Sequence, residues 1–165
     1  MRWNNAAAIA LLAGLCMLGG CKEERASVGQ PAPALAAWDL QGQQVDLNRW
    51  QGKNVYLNFW SAGCGGCLAE MATLAKLSKQ YGDRIVVVAI NTDPESVDIQ
   101  PLLQQQKIDY PVVRDQLGIS KERYQVIGTP TSFLINAQGK VLEQHQGSRN
   151  EQALSELFRR VAQGV

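Results

Sequence analysis

The chain has 165 residues, 45% of them apolar and 19% charged, with a formal net charge of +1. That length gives room for one domain of ordinary size, and the apolar share is that of a globular protein. Charge so close to balance gives no sign of a nucleic-acid or strongly anionic partner.

Among the first twenty residues only Arg2 is charged, and residues 6–18 form an apolar run of 13. Such a run is too short for a permanent membrane span and has the length of a signal-peptide core. It ends in Leu18-Gly19-Gly20-Cys21, which resembles the lipobox of bacterial lipoproteins. That resemblance implies removal of residues 1–20 and acylation of Cys21 as the new N-terminus. It also implies a location in the bacterial cell envelope, anchored to the membrane and facing the periplasm. An ordinary secretory signal with an incidental Cys21 is the plainer alternative. Residues 22–30 are charged and poor in large apolar side chains, so 21–30 reads as a flexible tether and the domain is expected over 31–165.

Residues 38–40 and 45–47 flank Gln41-Gly42-Gln43 and predict a small hairpin. Residues 55–60, VYLNFW, are apolar and rich in β-branched and aromatic side chains, and predict a buried strand. A Ser-Ala-Gly turn follows, and Cys64-Gly65-Gly66-Cys67 then opens a helical pattern. Leu68, Met71, Leu74, Leu77 and Tyr81 recur at three- and four-residue steps, the stripe of a helix that reaches about Gln80 and ends at Gly82. Glu70 falls off that stripe, where a helix-surface position is expected. Residues 85–90, IVVVAI, predict a central strand. Asp93 is placed to cap a helix starting at Pro94, although Pro101 interrupts it and offers Asp98 as another start. Residues 110–114 predict a short strand and 117–124 a short helix. Pro130 precedes the strong strand 131–135, which suits a residue unable to donate to the ladder. Residues 136–139 make a hairpin turn, and 140–146 return as an edge strand. Ser148 to Glu151 fits a capping box before a final helix with Leu154, Leu157, Phe158 and Val161 on its stripe.

A C-x-x-C at a strand-to-helix junction is a redox motif with a mechanism. The unpaired N–H groups at a helix start are electropositive and stabilise a thiolate, the reactive form. Two intervening residues put the second sulfur one turn away, close enough to close a disulfide. Cys64 is then the nucleophile and Cys67, one turn in, the thiol that resolves the mixed disulfide. A structural bridge that never cycles is the bland alternative, but a span this short constrains little chain. Two cysteines and the single His145 cannot supply the four ligands of a structural zinc site. His145 lies at alternating spacing in the edge strand, where a solvent-facing position is expected.

The segment LNFWSAGCGGCLAEM resembles the active site of thioredoxin-fold proteins of the TlpA/ResA type, membrane-tethered thiol-disulfide oxidoreductases whose pattern is close to N-F-W-A-x-W-C-x-P-C-x-x-E-M. Gly63 stands where that pattern has Trp, and Gly66 where it has Pro. Residues 126–136, VIGTPTSFLIN, match the family's cis-proline segment, and residues 28–60 resemble the N-terminal extension shared with the peroxiredoxin branch. The resemblance covers residues 28–161. It implies an α/β thioredoxin fold, a central mixed sheet flanked by helices with an N-terminal β-hairpin extension. It implies an enzyme without a cofactor that reduces protein disulfides through Cys64 and Cys67. A membrane electron donor of the DsbD/CcdA kind would re-reduce it. Its substrates by resemblance are apocytochrome c, as in cytochrome c biogenesis, copper-site assembly proteins or envelope proteins in general.

The resemblance also implies support roles. Pro130 would be cis, face the disulfide and shape the cleft where a partner backbone pairs; its bland role is a turn. Thr129 would lie beside the sulfurs. Trp60 packs either near the motif or only in the core. Asn58 stands where thioredoxins proper carry a buried Asp, and an amide cannot take the proton of Cys67. The ResA branch uses an acidic residue from a neighbouring loop, which makes Asp93 and Glu95 candidates for proton handling, with Glu70 a third; each could equally be a cap or a solvated surface residue. Two other function classes compete. Thioredoxin-fold copper chaperones resemble C-x-x-x-C with a distant His, and the spacing here differs. Peroxiredoxin-type thiol peroxidases resemble P-x-x-x-T-x-x-C, which this sequence lacks.

Overall fold

The computed structural model describes residues 24–164; the signal and acylation readings, and Cys21 with them, lie outside the described residues. Ala37–Asp39 (β1) and Gln44–Val45 (β2) form the expected hairpin. A 3-10 turn, Leu47–Trp50, leads into Asn54–Trp60 (β3), six of whose seven residues are buried. Gly65–Tyr81 (α1), Ile85–Asn91 (β4), Gln100–Gln105 (α2), Val112–Arg114 (β5), Ile119–Arg123 (α3), Thr131–Ile135 (β6), Val141–Gln146 (β7) and Glu151–Ala162 (α4) follow. The seven strands make one sheet in the order β2-β1-β5-β4-β3-β6-β7. β3 and β4 are parallel, as are β4 and β5, while β6 runs antiparallel to β3 and β7 to β6. This is the mixed sheet flanked by helices, with an N-terminal hairpin, that the sequence leads one to expect.

Strand alternation splits the core into two layers. Tyr56 and Trp60 face α1 and α4, and pack with Met71, Leu74, Leu154 and Phe158. Val55, Leu57 and Phe59 face the other way, towards Val88, Phe133 and Tyr124. The α4 stripe is buried at Leu154, Leu157, Phe158 and Val161.

Four local expectations are corrected. Asp93 caps no helix: α2 starts at Gln100, behind Asp98, whose Oδ1 accepts the Gln100 N–H at 3.0 Å. Pro101 interrupts nothing, because it sits in the first turn, where an N–H has no helical partner in any case. Ser148 does not cap α4. Asn150 does, its side chain accepting the Ala153 N–H at 2.8 Å. Residues 24–30, expected within a flexible tether, lie against the domain: Ala26 is buried and donates to Arg123 O, and Gly29 donates to Val141 O.

Candidate active site

β3 ends at Trp60, and the turn 61–63 carries the chain to Cys64, the N-cap of α1. Helix geometry places the first-turn N–H groups along the axis, and the Cys64 sulfur accepts the Cys67 N–H at 3.1 Å. Cys64 and Cys67 form a disulfide with Cα atoms 5.2 Å apart. Cys64 is half-buried, and Cys67 is fully buried among Trp60, Met71 and Leu74. That asymmetry is what the assigned division of labour requires: one sulfur open to a partner, one shielded from it. Trp60 is a buried core residue in the same cluster as Cys67, so it packs near the motif rather than only in the distant core.

The cis-proline loop faces this pair. The Thr129–Pro130 bond is cis, Pro130 is buried, and its Cδ lies 3.9 Å from where a Cβ on Gly66 would stand. Thr129 Oγ1 lies 3.1 Å from Ser61 Oγ, which ties the proline loop to the turn before Cys64. Gly63 and Gly65 are exposed, and a Cβ at either would meet nothing within 4 Å.

The acidic residues separate cleanly. Asp93 Oδ2 accepts the Ala62 N–H at 2.7 Å and the Asn91 Nδ2 at 2.7 Å, so it holds the 61–63 turn rather than a helix end. Glu95 is exposed and makes no described contact with the site. Glu70 is not on the helix surface. It is 3% exposed, its Oε2 accepts Asn58 Nδ2 at 3.2 Å, and its Oε1 accepts the backbone N–H of Arg149. Burial raises its pKa above the ordinary carboxylate range, against the opposing pull of the Arg149 N–H, Asn58 and the Arg149 guanidinium. Asn58 is itself buried, so the residue that cannot accept a proton is hydrogen-bonded to one that can. His145 is half-buried on β7, across from Ser132.

Sequence reasoning missed the strap Gly147-Ser148-Arg149. Gly147 donates its N–H to Pro130 O at 2.9 Å. Ser148 Oγ lies 3.2 Å from the Cβ position of Gly66. The side chain of Arg149 is paired to Glu143, which also holds Arg160 at 3.2 Å. The one local pattern here, an apparent capping box, points to α4 and not to the site. The only signal was that an acid one turn after Cys67 would need partners if it were buried.

A family model described as Redoxin matches residues 27–159. The thiol-disulfide oxidoreductase ResA of Bacillus thuringiensis subsp. konkukian is 32% identical over 141 residues, 85% of this chain and 82% of that protein. ResA of Bacillus subtilis is 29% identical over 143 residues, 86% of this chain and 80% of that protein. Among solved structures, the crystal structure of a thiol:disulfide interchange protein DsbE from Chlorobium tepidum shares 34% identity at a TM-score of 0.76, covering 83% of this chain and 99% of that one.

Proposed function

We propose that this chain, which belongs to the Redoxin family and is a thioredoxin-fold thiol-disulfide oxidoreductase of the ResA kind, works in the reducing direction on protein disulfides. The observation that carries this is the setting of Cys64. Its sulfur takes one described hydrogen bond, from the Cys67 N–H, and the residue is only half-buried between the exposed Gly63 and Gly65. A thiolate held by few donors is weakly stabilised, and a weakly stabilised reduced form is a good electron donor.

The reaction runs in two exchanges. The Cys64 thiolate attacks one sulfur of a substrate disulfide, forming the mixed disulfide and expelling the other sulfur as a thiolate, which takes a proton. Cys67 loses its proton and attacks the Cys64 sulfur, forming the Cys64–Cys67 bond and expelling the second substrate sulfur as a thiolate, which takes a proton. The substrate gains two electrons and two protons, and the enzyme is left as the disulfide seen here. Glu70 is the acceptor for the Cys67 proton in this reading, one turn along α1, supported by its burial and its raised pKa. Asp93 positions the turn, and Glu95 takes no part.

The enzyme works at the bacterial cell envelope, facing the periplasm, with Cys21 acylated; the support is the apolar run ending in Leu18-Gly19-Gly20-Cys21. A membrane donor of the DsbD/CcdA kind re-reduces it, and apocytochrome c heads its substrate classes, both by family resemblance. Two measurements test this. Equilibration with glutathione should give a potential nearer about −270 mV than about −120 mV, and a value above roughly −180 mV would reverse the assigned direction. Cys21→Ala should abolish acylation, and wild-type protein found free in the soluble periplasmic fraction would remove the anchor.

A further inference from the structure

Three consecutive residues touch three separate parts of the site. Gly147, at φ +92°, donates to the carbonyl of Pro130. Ser148 stands against Gly66, inside the C-x-x-C. Arg149 donates its backbone N–H to the buried Glu70. The outer end is fastened too: the Arg149 side chain, 14% exposed, pairs with Glu143 on β7, and Glu143 pairs with Arg160 on α4. A ladder of polar contacts therefore runs from the redox helix, through the strap, to the surface of the last helix.

We propose that Arg149 is a positioning residue of the disulfide-exchange reaction: its backbone N–H and its anchored guanidinium hold Glu70 as the carboxylate that takes up the Cys67 proton. This rests on the reading of Glu70 as that acceptor. Among the described residues, few titratable or charged groups stand near Glu70. On its own helix, one turn before it, is Cys67. β3 brings Asn58 and Tyr56, and the segment before β5 brings Tyr110. Burial pushes the Tyr56 hydroxyl up to about 12 and that of Tyr110 higher still, so both stay neutral near neutral pH. Arg149 is then the cation of the set, with Glu143 behind it. Without that cation nothing described opposes burial except the Asn58 amide and the backbone donor, and a loosened strap weakens the donor as well. A carboxylate less stabilised ionises at higher pH, so proton uptake from Cys67 turns on later as pH rises.

The readout is the pH profile of mixed-disulfide release. A glutathione adduct is made at Cys64, and its displacement by Cys67 is followed in the wild type, Glu70→Gln, Arg149→Met and Arg149→Lys. Arg149→Met should move the acidic limb upward by at least about half a pH unit, roughly threefold in rate below the midpoint. Arg149→Lys, which restores the charge, should fall between the two. Arg160→Ala leaves the strap's own sequence intact and frees Glu143 from its second cation, so it should give a smaller shift of the same sign; it serves if Arg149→Met does not fold. If Glu70→Gln removes the limb but Arg149→Met and Arg160→Ala both keep the wild-type midpoint, the role of Arg149 is overturned while Glu70 stands. If Glu70→Gln keeps the wild-type limb, the reading of Glu70 falls and takes the proposal with it.

Discussion

On one face of β3, Val55, Leu57 and Phe59 pack against Val88, Phe133 and Tyr124, and the nearby polar groups are satisfied. The Tyr124 hydroxyl donates to Pro33 O at 2.7 Å, and the Asp115 carboxylate accepts the N–H groups of Ser120 and Lys121. On the other face, at the alternate positions of the same strand, Asn58 and Trp60 meet α1. There Asn58 Oδ1, Trp60 Nε1 and, on β4, Asn91 Oδ1 are buried without a hydrogen-bond partner, and Glu70 is a buried acid. An unmade buried hydrogen bond costs about 1–3 kcal/mol. The α1 face therefore gives up stability that the opposite face retains. What it gains is a layer of polar groups on the face that holds the fully buried Cys67 sulfur. The apolar face stabilises the sheet, and the sheet holds the reactive face in register.

If this division holds, substitutions on the two faces should part company in what they change. The largest functional effect falls on the reactive pair. Cys64→Ser should reduce insulin-disulfide reduction to background, since Cys67 is buried and no partner sulfur reaches it. Cys67→Ser should still attack and then stall as an isolable mixed disulfide. Alkylation of the reduced protein at mildly acidic pH should label Cys64 first; preferential labelling of Cys67 would reverse the two roles.

The largest stability effect falls on the other face. Phe133 is 1% exposed and stacks edge-on to both Phe59 and Tyr124. Phe133→Ala should cost about 3–5 kcal/mol, measured by denaturant unfolding. The glutathione-equilibrated potential of the folded fraction should stay at the wild-type value. A potential that moves with Phe133 would mean that the two faces are not separable.

Glu70 separates the two faces through pH. Its folded pKa is raised, chiefly by burial. A raised carboxyl contributes stability below the unfolded value near 4.5, and that contribution is lost as pH rises through the folded value. Glu70→Gln has no charge to bury. Its stability relative to the wild type should therefore grow as pH rises above the unfolded value and level off once the wild-type carboxyl is ionised. Its mixed-disulfide release should be slower at the same pH. Parallel unfolding curves for the two proteins across that window would show that Glu70 carries no burial penalty.

These residues also mark where the sequence is readable. β3, α1, β4, the β6–β7 hairpin and α4 were legible, because each carries a continuous apolar run or a periodic stripe that its packing then uses. The Cys64–Cys67 pairing and the cis bond before Pro130 were legible because each is tied to a short local motif. Glu70 was misjudged for a physical reason. Periodicity assigns burial from apolar neighbours, and the partners that bury Glu70, Asn58 and Arg149, lie 12 and 79 residues away in the chain. Asp93 looked like a helix cap because Asp-Pro is a common helix start. Its carboxylate instead finds the Ala62 N–H beyond the end of the neighbouring strand β3. Ser148 and Arg149 sat inside an apparent capping box, and the true cap, Asn150, leaves both free to meet α1.

The smallest predicted effect concerns Gly66, where the family pattern has Pro. Gly66 is the second residue of α1, and its N–H is among those a helix leaves unpaired at its start. Proline there removes no described hydrogen bond; the donor to the Cys64 sulfur is Cys67. What proline changes is the reduced state. With the disulfide open, Gly66 is free to leave helical φ, whereas proline holds φ near the helical value and keeps the Cys67 N–H aimed at the Cys64 thiolate. A better-held thiolate stabilises the reduced form and raises the potential. About 1 kcal/mol, the usual size of such a restriction, corresponds to roughly 20 mV for a two-electron couple. Ser148 sets a condition, because its Oγ lies 3.2 Å from the Cβ that any substitution adds. Ser148 is exposed and on a loop, so it can yield, but crowding would strain the oxidised and reduced forms alike. Gly66→Pro should therefore be compared with Gly66→Pro in a Ser148→Gly background, both equilibrated against glutathione. The rise should be at least as large in the double variant. A potential that falls in both would mean that the glycine, rather than a proline, better serves the thiolate, and that the reducing character of this site comes from somewhere other than a loosely held first turn.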